Sequence, residues 1–320
     1  MDNTFSNYCI KLSTKYRKRT ILIVIDLCYN DGIEQKGRCR MNTLSDFVKT
    51  KDYLICVDSD GCAMDTMDIK HVACFGPCMV AEWGLETWRD TILARWNDIN
   101  LYTLARGINR FKGLAQALSE IHSQFTPIDG VAALTDWADT APELSNGALE
   151  SLIAAGAHPI FQKALSWSTA VNAAIRALPA ADIRPFAGAR EALAYAHTYA
   201  DIAIVSSANR GAVLEEWERH GLLPHTDVVL TQNDGSKAYC IGELLKKGYA
   251  PDRVLMCGDA PGDLAAAEKN GVFYYPILVR REAASWQEFV DTALPHLLQG
   301  GFAGHYQEEK ITQFYTNLGG

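Results

Sequence analysis

The stretch that decides the fold is YLICVDSDGCAMDT, residues 53–66. A short apolar run ends abruptly in two aspartates, Asp58 and Asp60, and Asp65 follows soon after. A run of this length that ends in polar residues is typical of a buried strand in a parallel sheet. The two carboxylates at its end repel each other, so a fold that keeps them together has to offset their charge.

A regular alternation of strand and helix patterns fills the last third of the chain. Four apolar runs are separated by segments typical of amphipathic helices, and these runs are DIAIVSS (201–207), DVVLTQ (227–232), RVLMCGD (253–259) and VFYYPILV (272–279). Strand–helix alternation at these lengths implies right-handed crossovers between parallel strands. The sequence therefore predicts an α/β fold, a doubly wound parallel sheet of the Rossmann-like type.

A long helical segment interrupts this alternation after the first strand. Residues 67–180 are rich in Ala, Leu, Glu, Arg and Trp, and no strand pattern breaks them. We expect an all-helical domain over 67–180, inserted into an α/β core domain made of residues 41–66 and 181–320.

Composition excludes several classes of function. The 320 residues carry a net charge of −8 and contain no basic stripe, which argues against binding to nucleic acid. No apolar run reaches the length that spans a membrane. Nine cysteines are scattered without a disulfide framework, as in reduced cytoplasmic proteins. We expect a globular cytoplasmic protein; the sequence leaves its oligomeric state open.

The first 40 residues differ from the rest in charge. They hold eight basic and four acidic residues, a net of +4 in a chain whose total is −8. Two interpretations stay open. Met41 is the true start and residues 1–40 are translated upstream sequence, or residues 1–40 form a real N-terminal arm with one strand at TILIVIDL (20–27).

Polar residues follow each predicted strand at its carboxyl end, where open parallel sheets bind their ligands. These residues are Asp58 and Asp60, Ser206 and Ser207, Lys237, and Asp259 with Asp263. Each is common alone, but carboxylates, a hydroxyl and a lysine in this order suit phosphoryl transfer through an aspartyl-phosphate. In that chemistry a hard divalent cation such as Mg²⁺ offsets the negative charge of nucleophile and phosphate.

These residues lie in motifs that resemble those of the haloacid dehalogenase (HAD) superfamily. ICVDSDGCAMDT (55–66) is similar to the first motif, DxDGT-x-x-D-[ST]; IAIVSS (202–207) resembles the second, Lys237 fits the third, and GDAPGD (258–263) matches the fourth, GDxxxD. The inserted helices would then be a C1-type cap. The chain departs from the pattern at Cys62, where Thr or Val is usual, and at GSKAY (235–239), which lacks the common Lys-Pro.

The resemblance implies a role for each motif residue. Asp58 would be the nucleophile and a metal ligand, and Asp60 the general acid/base that also ligates the metal through its backbone carbonyl. Ser206, or Ser207 if the strand ends one residue later, would bind the phosphoryl group. Lys237 would support both that group and the nucleophile. Asp259 would ligate Mg²⁺, and Asp263 would assist directly or through a water molecule.

The acid at Asp60 narrows the reaction within the resemblance, because dehalogenases and phosphonoacetaldehyde-type hydrolases lack it. It favours a Mg²⁺-dependent hydrolase of phosphate monoesters that acts on a small phosphorylated metabolite. A phosphomutase of the same superfamily stays an alternative, as does a non-hydrolytic phospho-acceptor or binding protein.

The helical segment contains candidate substrate-reading residues. ARGINRFKG (105–113) places Arg106, Asn109, Arg110 and Lys112 near a glycine-punctuated turn, where they could read an anionic or polyhydroxylated leaving group. The alternative is a solvated helix junction. Lys70 and His71 follow the first motif and could reach the site when the cap closes, or serve only as a hinge.

Overall fold

The computed structural model describes residues 43–320. Both interpretations of the first 40 residues, including the strand at residues 20–27, fall outside the described residues. Between residues 43 and 320, no helix combines the length and the apolar character that crossing a membrane requires.

A parallel five-stranded sheet forms the centre of the fold. Its strands are β1 (Tyr53–Val57), β2 (Ala200–Val205), β3 (Val228–Leu230), β4 (Val254–Gly258) and β5 (Phe273–Pro276). They lie in the order β3-β2-β1-β4-β5, and every neighbouring pair is parallel. The reversal of strand order around β1 confirms the predicted doubly wound sheet and brings the exits of β1, β2 and β4 side by side.

Helices surround the sheet and fill the segment between β1 and β2. The inserted segment contains α1 (Met67–Lys70), α2 (Gly76–Trp83), α3 (Arg89–Leu101), α4 (Arg110–Gln124), α5 (Val131–Thr140), α6 (Asn146–Ala154) and α7 (Ile160–Arg176). The helices of the α/β part are α8 (Ala189–Ala196), α9 (Arg210–Arg219), α10 (Lys237–Leu245), α11 (Pro261–Asn270), α12 (Glu282–Glu288), α13 (Leu294–Gln299) and α14 (His305–Asn317). π-Helical turns occupy His71–Phe75 and Phe289–Ala293, and short 3₁₀ turns occupy Glu86–Trp88, Ala180–Asp182, Leu223–His225 and Pro251–Arg253.

The two faces of the sheet bury different side chains of the same strand. Ile55 and Val57 of β1 point into one apolar cluster, with side chains of α8, α9 and α12. Leu54 and Cys56 point into another, with side chains of α10, α11 and α14. Because successive side chains of a strand face opposite sides, an unbroken apolar run such as YLICV satisfies both faces at once.

The inserted helices have an apolar core of their own. It runs from Phe75 to Val171 and contains the fully buried Trp96 and Trp167, whose rings meet edge-on at 6.1 Å. The inserted all-helical cap predicted from the sequence is thus present. Its limits at residues 67 and 180 stay a prediction.

Both ends of the insert meet in a short clasp. Met64 and Pro185 form an isolated antiparallel bridge. The amide of Asp65 donates to the carbonyl of Arg184 at 2.8 Å, and the amide of Phe186 donates to Ala63 at 3.0 Å. The chain therefore leaves the sheet for the cap and returns to it at one place, directly beside Asp58 and Asp60.

Candidate active site

Three buried carboxylates converge at the exits of β1 and β4. One carboxylate oxygen each of Asp58, Asp259 and Asp263 lies within 4.8 Å of the others. Asp58 follows the last residue of β1, and Asp259 follows the last residue of β4. Asp263 lies in the first turn of α11, where its Oδ2 accepts a hydrogen bond from the amide of Ala260 at 3.1 Å.

Two glycines leave room for this cluster. At Gly61 the backbone has φ +82°, and a Cβ there would lie 2.4 Å from Oδ2 of Asp259. A Cβ at Gly258 would lie 2.3 Å from Cγ of Asp263. Side chains at these positions would displace two of the three carboxylates, so both glycines are needed for the close approach of the acids.

Lys237 lies between two of these carboxylates. It is the first residue of α10, after the N-cap Ser236, whose hydroxyl accepts from the amide of Tyr239. Its Nζ is 2.7 Å from Oδ2 of Asp58 and 2.5 Å from Oδ1 of Asp263. Burial would lower the pKa of Lys237, but the two carboxylates outweigh it and raise the pKa. The lysine is therefore positively charged in the site.

Arg106 brings a second cation to the cluster from the cap. Its Nε donates to Oδ2 of Asp259 at 2.6 Å, and its Nη1 donates to the carbonyl of Leu101 at 2.8 Å. Only 2% of Arg106 is exposed, so a solvated helix junction does not describe this residue. The sequence predicted that Arg106 reads the leaving group, and that role stays a prediction; the structure places it against a carboxylate of the core.

The three carboxylates fit a divalent cation. Oδ1 of Asp259 is buried, and among residues 43–320 it has no hydrogen-bond partner. Burial and then the neighbouring carboxylates raise the pKa of Asp259 to about 7 and that of Asp263 to about 6. Carboxylate oxygens are the ligands that hard cations such as Mg²⁺ prefer, and such an ion would offset their repulsion.

We expect Mg²⁺ to stabilise the fold much more at about pH 8 than at about pH 5. The pKa values of Asp259 and Asp263 lie above their ordinary 3.8. Their contribution to folding is present at low pH and is lost as pH rises through about 6 to 7, where they ionise and repel. Thermal unfolding with and without Mg²⁺ should show a shift of several degrees at the higher pH only. NaCl at equal ionic strength is the control, and equal shifts at both pH values would contradict the expectation.

Asp60 has separate partners on the side of the hinge. Its Oδ1 accepts from Oγ1 of Thr66 at 2.6 Å and from Nζ of Lys70 at 2.8 Å, and its Oδ2 lies 2.9 Å from the same Nζ. Burial would raise the pKa of Asp60, but Lys70 and Thr66 outweigh it and lower the pKa. The carboxyl is therefore held in its charged form in this arrangement.

A second acid joins Asp60 and Lys70 from the core. Oε1 of Glu216 on α9 lies 3.5 Å from Nζ of Lys70, and burial raises the pKa of Glu216 to about 7. The next residue, Trp217, donates from Nε1 to Oγ of Ser59 at 2.9 Å. Helix α9 thus contacts the site twice, through Glu216 at Lys70 and through Trp217 at Ser59, which lies between Asp58 and Asp60. The sequence predicts that Lys70 reaches the site or acts as a hinge, but it contains no signal that assigns a role to Thr66, Glu216 or Trp217.

The two candidate serines differ in burial. Ser206 follows β2, is 4% exposed, and its Oγ accepts from the amide of Ala208 at 3.2 Å. Ser207 is exposed. The register pairs Ile204 with Val57, which places Ser206 beside the strand exit that carries Asp58. Phosphate binding by either serine stays a prediction, and the geometry favours Ser206.

The other three cap candidates lie at the start of α4, and the hydrogen-bond partners found for Asn109 and Arg110 differ from those of Arg106. Asn109 is the N-cap, and its Oδ1 accepts from the amide of Phe111 at 2.9 Å. Arg110 folds into the cap, where its Nη1 donates to Oδ1 of Asn172 at 2.8 Å. Lys112 is half-buried on the same helix. A role for these three residues in substrate recognition stays a prediction.

His71 occupies the π-helical turn between α1 and α2. Its ring stacks on Phe75 at 4.6 Å, and its Nδ1 is buried with no hydrogen-bond partner within the described part of the chain. Burial, with the nearby positive charge of Arg106, lowers the pKa of His71 to about 3. The ring is therefore neutral.

In a comparison with known protein families, residues 140–276 match the family model described as haloacid dehalogenase-like hydrolase. No curated protein sequence matches the chain. Among solved structures, a haloacid dehalogenase-like family hydrolase from Xanthomonas campestris is 13% identical, with 82% of this chain and all of that chain covered and a TM-score of 0.45. A haloacid dehalogenase-like family protein from Streptococcus pneumoniae is 13% identical (73% and 90% covered, TM-score 0.41). A predicted phosphoglycolate phosphatase from Haemophilus somnus is 14% identical (71% and 85% covered, TM-score 0.42).

Proposed function

We propose that this protein is a Mg²⁺-dependent phosphatase of small phosphorylated metabolites. The proposal starts from the family, since the chain belongs to the haloacid dehalogenase-like hydrolase superfamily. One observation carries the proposal. Asp58 shares a buried cluster with Asp259, Asp263 and Lys237, whereas Asp60, two residues later, has its own hydrogen-bond partners. The two neighbouring acids thus have different surroundings, as a nucleophile and a general acid/base require.

Asp58 is assigned the attack on phosphorus. A carboxylate oxygen forms the new P–O bond while the bond between phosphorus and the leaving oxygen breaks, which produces an aspartyl-phosphate. Lys237 stabilises the charge on the phosphoryl oxygens, and Ser206 binds one of them. Asp58, Asp259 and Asp263 would hold Mg²⁺ with the backbone carbonyl of Asp60, and the ion supplies the positive charge that lets an anion attack an anion.

Asp60 is assigned the proton transfers. It gives a proton to the leaving alkoxide in the first step and takes one from the attacking water in the second, which releases phosphate and restores Asp58. In this structure Asp60 is in the form that the second step needs, because Lys70 and Thr66 lower its pKa and keep the carboxylate ionised. The first step needs a protonated Asp60, so the contact with Lys70 must loosen. Lys70 belongs to α1 at the start of the cap, so a small shift of the cap relative to the core would loosen this contact.

The direct test is hydrolysis of p-nitrophenyl phosphate. We expect release of nitrophenolate in the presence of Mg²⁺ and its loss when EDTA removes the ion. p-Nitrophenyl sulfate, which has the same leaving group, is the control and should not be cleaved. If neither this compound nor any of a panel of phosphate esters is hydrolysed with Mg²⁺ or Mn²⁺, the proposal is wrong.

A cytoplasmic location is part of the proposal, since the six cysteines among the described residues are free thiols.

A further inference from the structure

Arg110 is a cation inside the cap that lacks an acidic partner. Its Nη1 donates to Oγ of Ser168 at 3.2 Å and to Oδ1 of Asn172 at 2.8 Å, and its guanidinium lies 5.1 Å from the centre of the Phe75 ring. These are neutral groups. Within residues 43–320, no carboxylate lies at ion-pair distance from Arg110, although Arg106 and Lys237 each have two.

Burial of such a cation lowers the stability of the folded protein. Removal of a guanidinium from water without an opposing charge leaves its desolvation penalty uncompensated, and here burial lowers the pKa of Arg110. Uncharged residues could fill this position at lower cost in stability. A desolvated arginine held by neutral partners is well suited to an anion that arrives from outside.

His71 adds a second, independent observation beside Arg110. Its buried Nδ1 has no partner within the described residues, and a buried polar atom of this kind costs stability unless a ligand satisfies it. The rings of His71 and Phe75 are stacked, and Arg110 covers the same Phe75. The neutral imidazole can donate a hydrogen bond from Nδ1 to an anionic oxygen. One cation and one free nitrogen thus border a single aromatic ring.

This pair lies next to the proposed reaction centre. The charges of Arg106, Asp60, Arg110 and Lys70 all act on His71. His71 follows Lys70 directly in the chain, and Lys70 contacts the carboxylate that would protonate the leaving oxygen. A leaving group that accepts its proton from Asp60 would therefore extend towards His71 and Arg110.

We propose that the substrate is a phosphate ester whose leaving alcohol carries a second anionic group, a carboxylate or a further phosphate, which pairs with Arg110 and accepts a hydrogen bond from Nδ1 of His71. This inference rests on the proposed phosphatase activity and adds the class of substrate. The guanidinium can bind either anion through two parallel hydrogen bonds.

Matched substrates test the second charge. 2-Phosphoglycolate and ethyl phosphate differ by a carboxylate in place of a methyl group, and fructose 1,6-bisphosphate and fructose 6-phosphate differ by a phosphate. We expect kcat/KM to favour the more anionic member of one pair by about tenfold or more, and the pair that shows it identifies the anion. The absence of a preference in both pairs would overturn the inference.

Arg110→Gln tests the residue. It should remove that preference and lower kcat/KM for the favoured substrate by about 30-fold, with p-nitrophenyl phosphate changed less than threefold. Arg110→Lys should keep part of the preference. Arg176→Gln makes the same chemical change at an exposed site on α7 and should change neither activity. Equal losses on anionic and neutral substrates in Arg110→Gln would contradict the assignment.

Stability and binding separate recognition from structural roles. Because Arg110 has no opposing charge to lose, Arg110→Gln should unfold at the same temperature as the wild type or higher; a marked decrease would indicate a structural residue instead. In the inactive Asp58→Asn background, calorimetric titration with the favoured substrate should show weaker binding when Arg110 is also changed to Gln. That measurement needs no turnover, so it tests the anion site even if the phosphatase assignment fails.

Discussion

Asp58→Asn is expected to lower hydrolysis of p-nitrophenyl phosphate by about 10³-fold or more. The amide oxygen is a poor nucleophile, so the aspartyl-phosphate cannot form. The carboxylate also supplies one of three oxygens of the acid cluster and one partner of Lys237, and both contributions are lost. Steady-state rates at saturating Mg²⁺ measure the effect.

The fold of this variant should persist, because Lys237 keeps its contact with Asp263 and no apolar packing changes. Asp252→Asn, the same change at an exposed position before β4, is the control and should leave the rate unaltered. If Asp58→Asn retains activity within threefold of the wild type while folded, Asp58 is not the nucleophile.

Asp60→Asn is expected to have an effect that depends on the leaving group. With ethyl phosphate the alkoxide needs a proton as it leaves, and we expect kcat to fall by about 10²- to 10⁴-fold. Nitrophenolate is a stable anion and leaves without one. With p-nitrophenyl phosphate we therefore expect a burst of about one nitrophenolate per enzyme, followed by slow turnover, because the second step still lacks its base. Rapid-mixing absorbance measurements resolve the burst.

Lys70 keeps Glu216 as a partner in this variant, so the hinge retains a paired lysine. The wild type, measured in the same way, should show no burst if its second step is fast. Equal losses for both substrates, with no burst, would remove Asp60 from the role of general acid/base and leave it a structural residue of the hinge.

The convergence of the candidate catalytic residues could be predicted from the sequence because most of them directly follow a strand. In a parallel sheet the carboxyl ends of the strands share one edge, so residues such as Asp58, Ser206 and Asp259 converge whatever the loops do. The local backbone also requires a glycine near these residues, because Gly61 has a positive φ that other residues rarely adopt. The strands themselves were recognisable because apolar runs in a doubly covered sheet are nearly continuous.

The contacts that cross from cap to core could not be predicted. Arg106 pairs with Asp259, 153 residues later in the chain, and neither neighbourhood contains a pattern that requires the other. Glu216 lies on a helix whose charged residues are otherwise typical of a solvated face, and its contact with Lys70 depends on how the cap packs. The sequence made Arg110 a candidate, but its neutral partners Ser168 and Asn172, without an acid at ion-pair distance among residues 43–320, are a property of the fold.

Because Met64 and Pro185 pair at the clasp, the cap is inserted into the core as a loop whose two ends are held together. The entropic cost of closing a flexible loop grows only with the logarithm of its length, so each doubling costs about 0.6 kcal/mol. The entropic cost of inserting the cap therefore depends little on what lies between Met64 and Pro185, provided that the insert folds with its ends together. Helices can be lengthened, lost or exchanged there at little entropic cost, while Asp58, the proposed nucleophile, stays at the exit of β1.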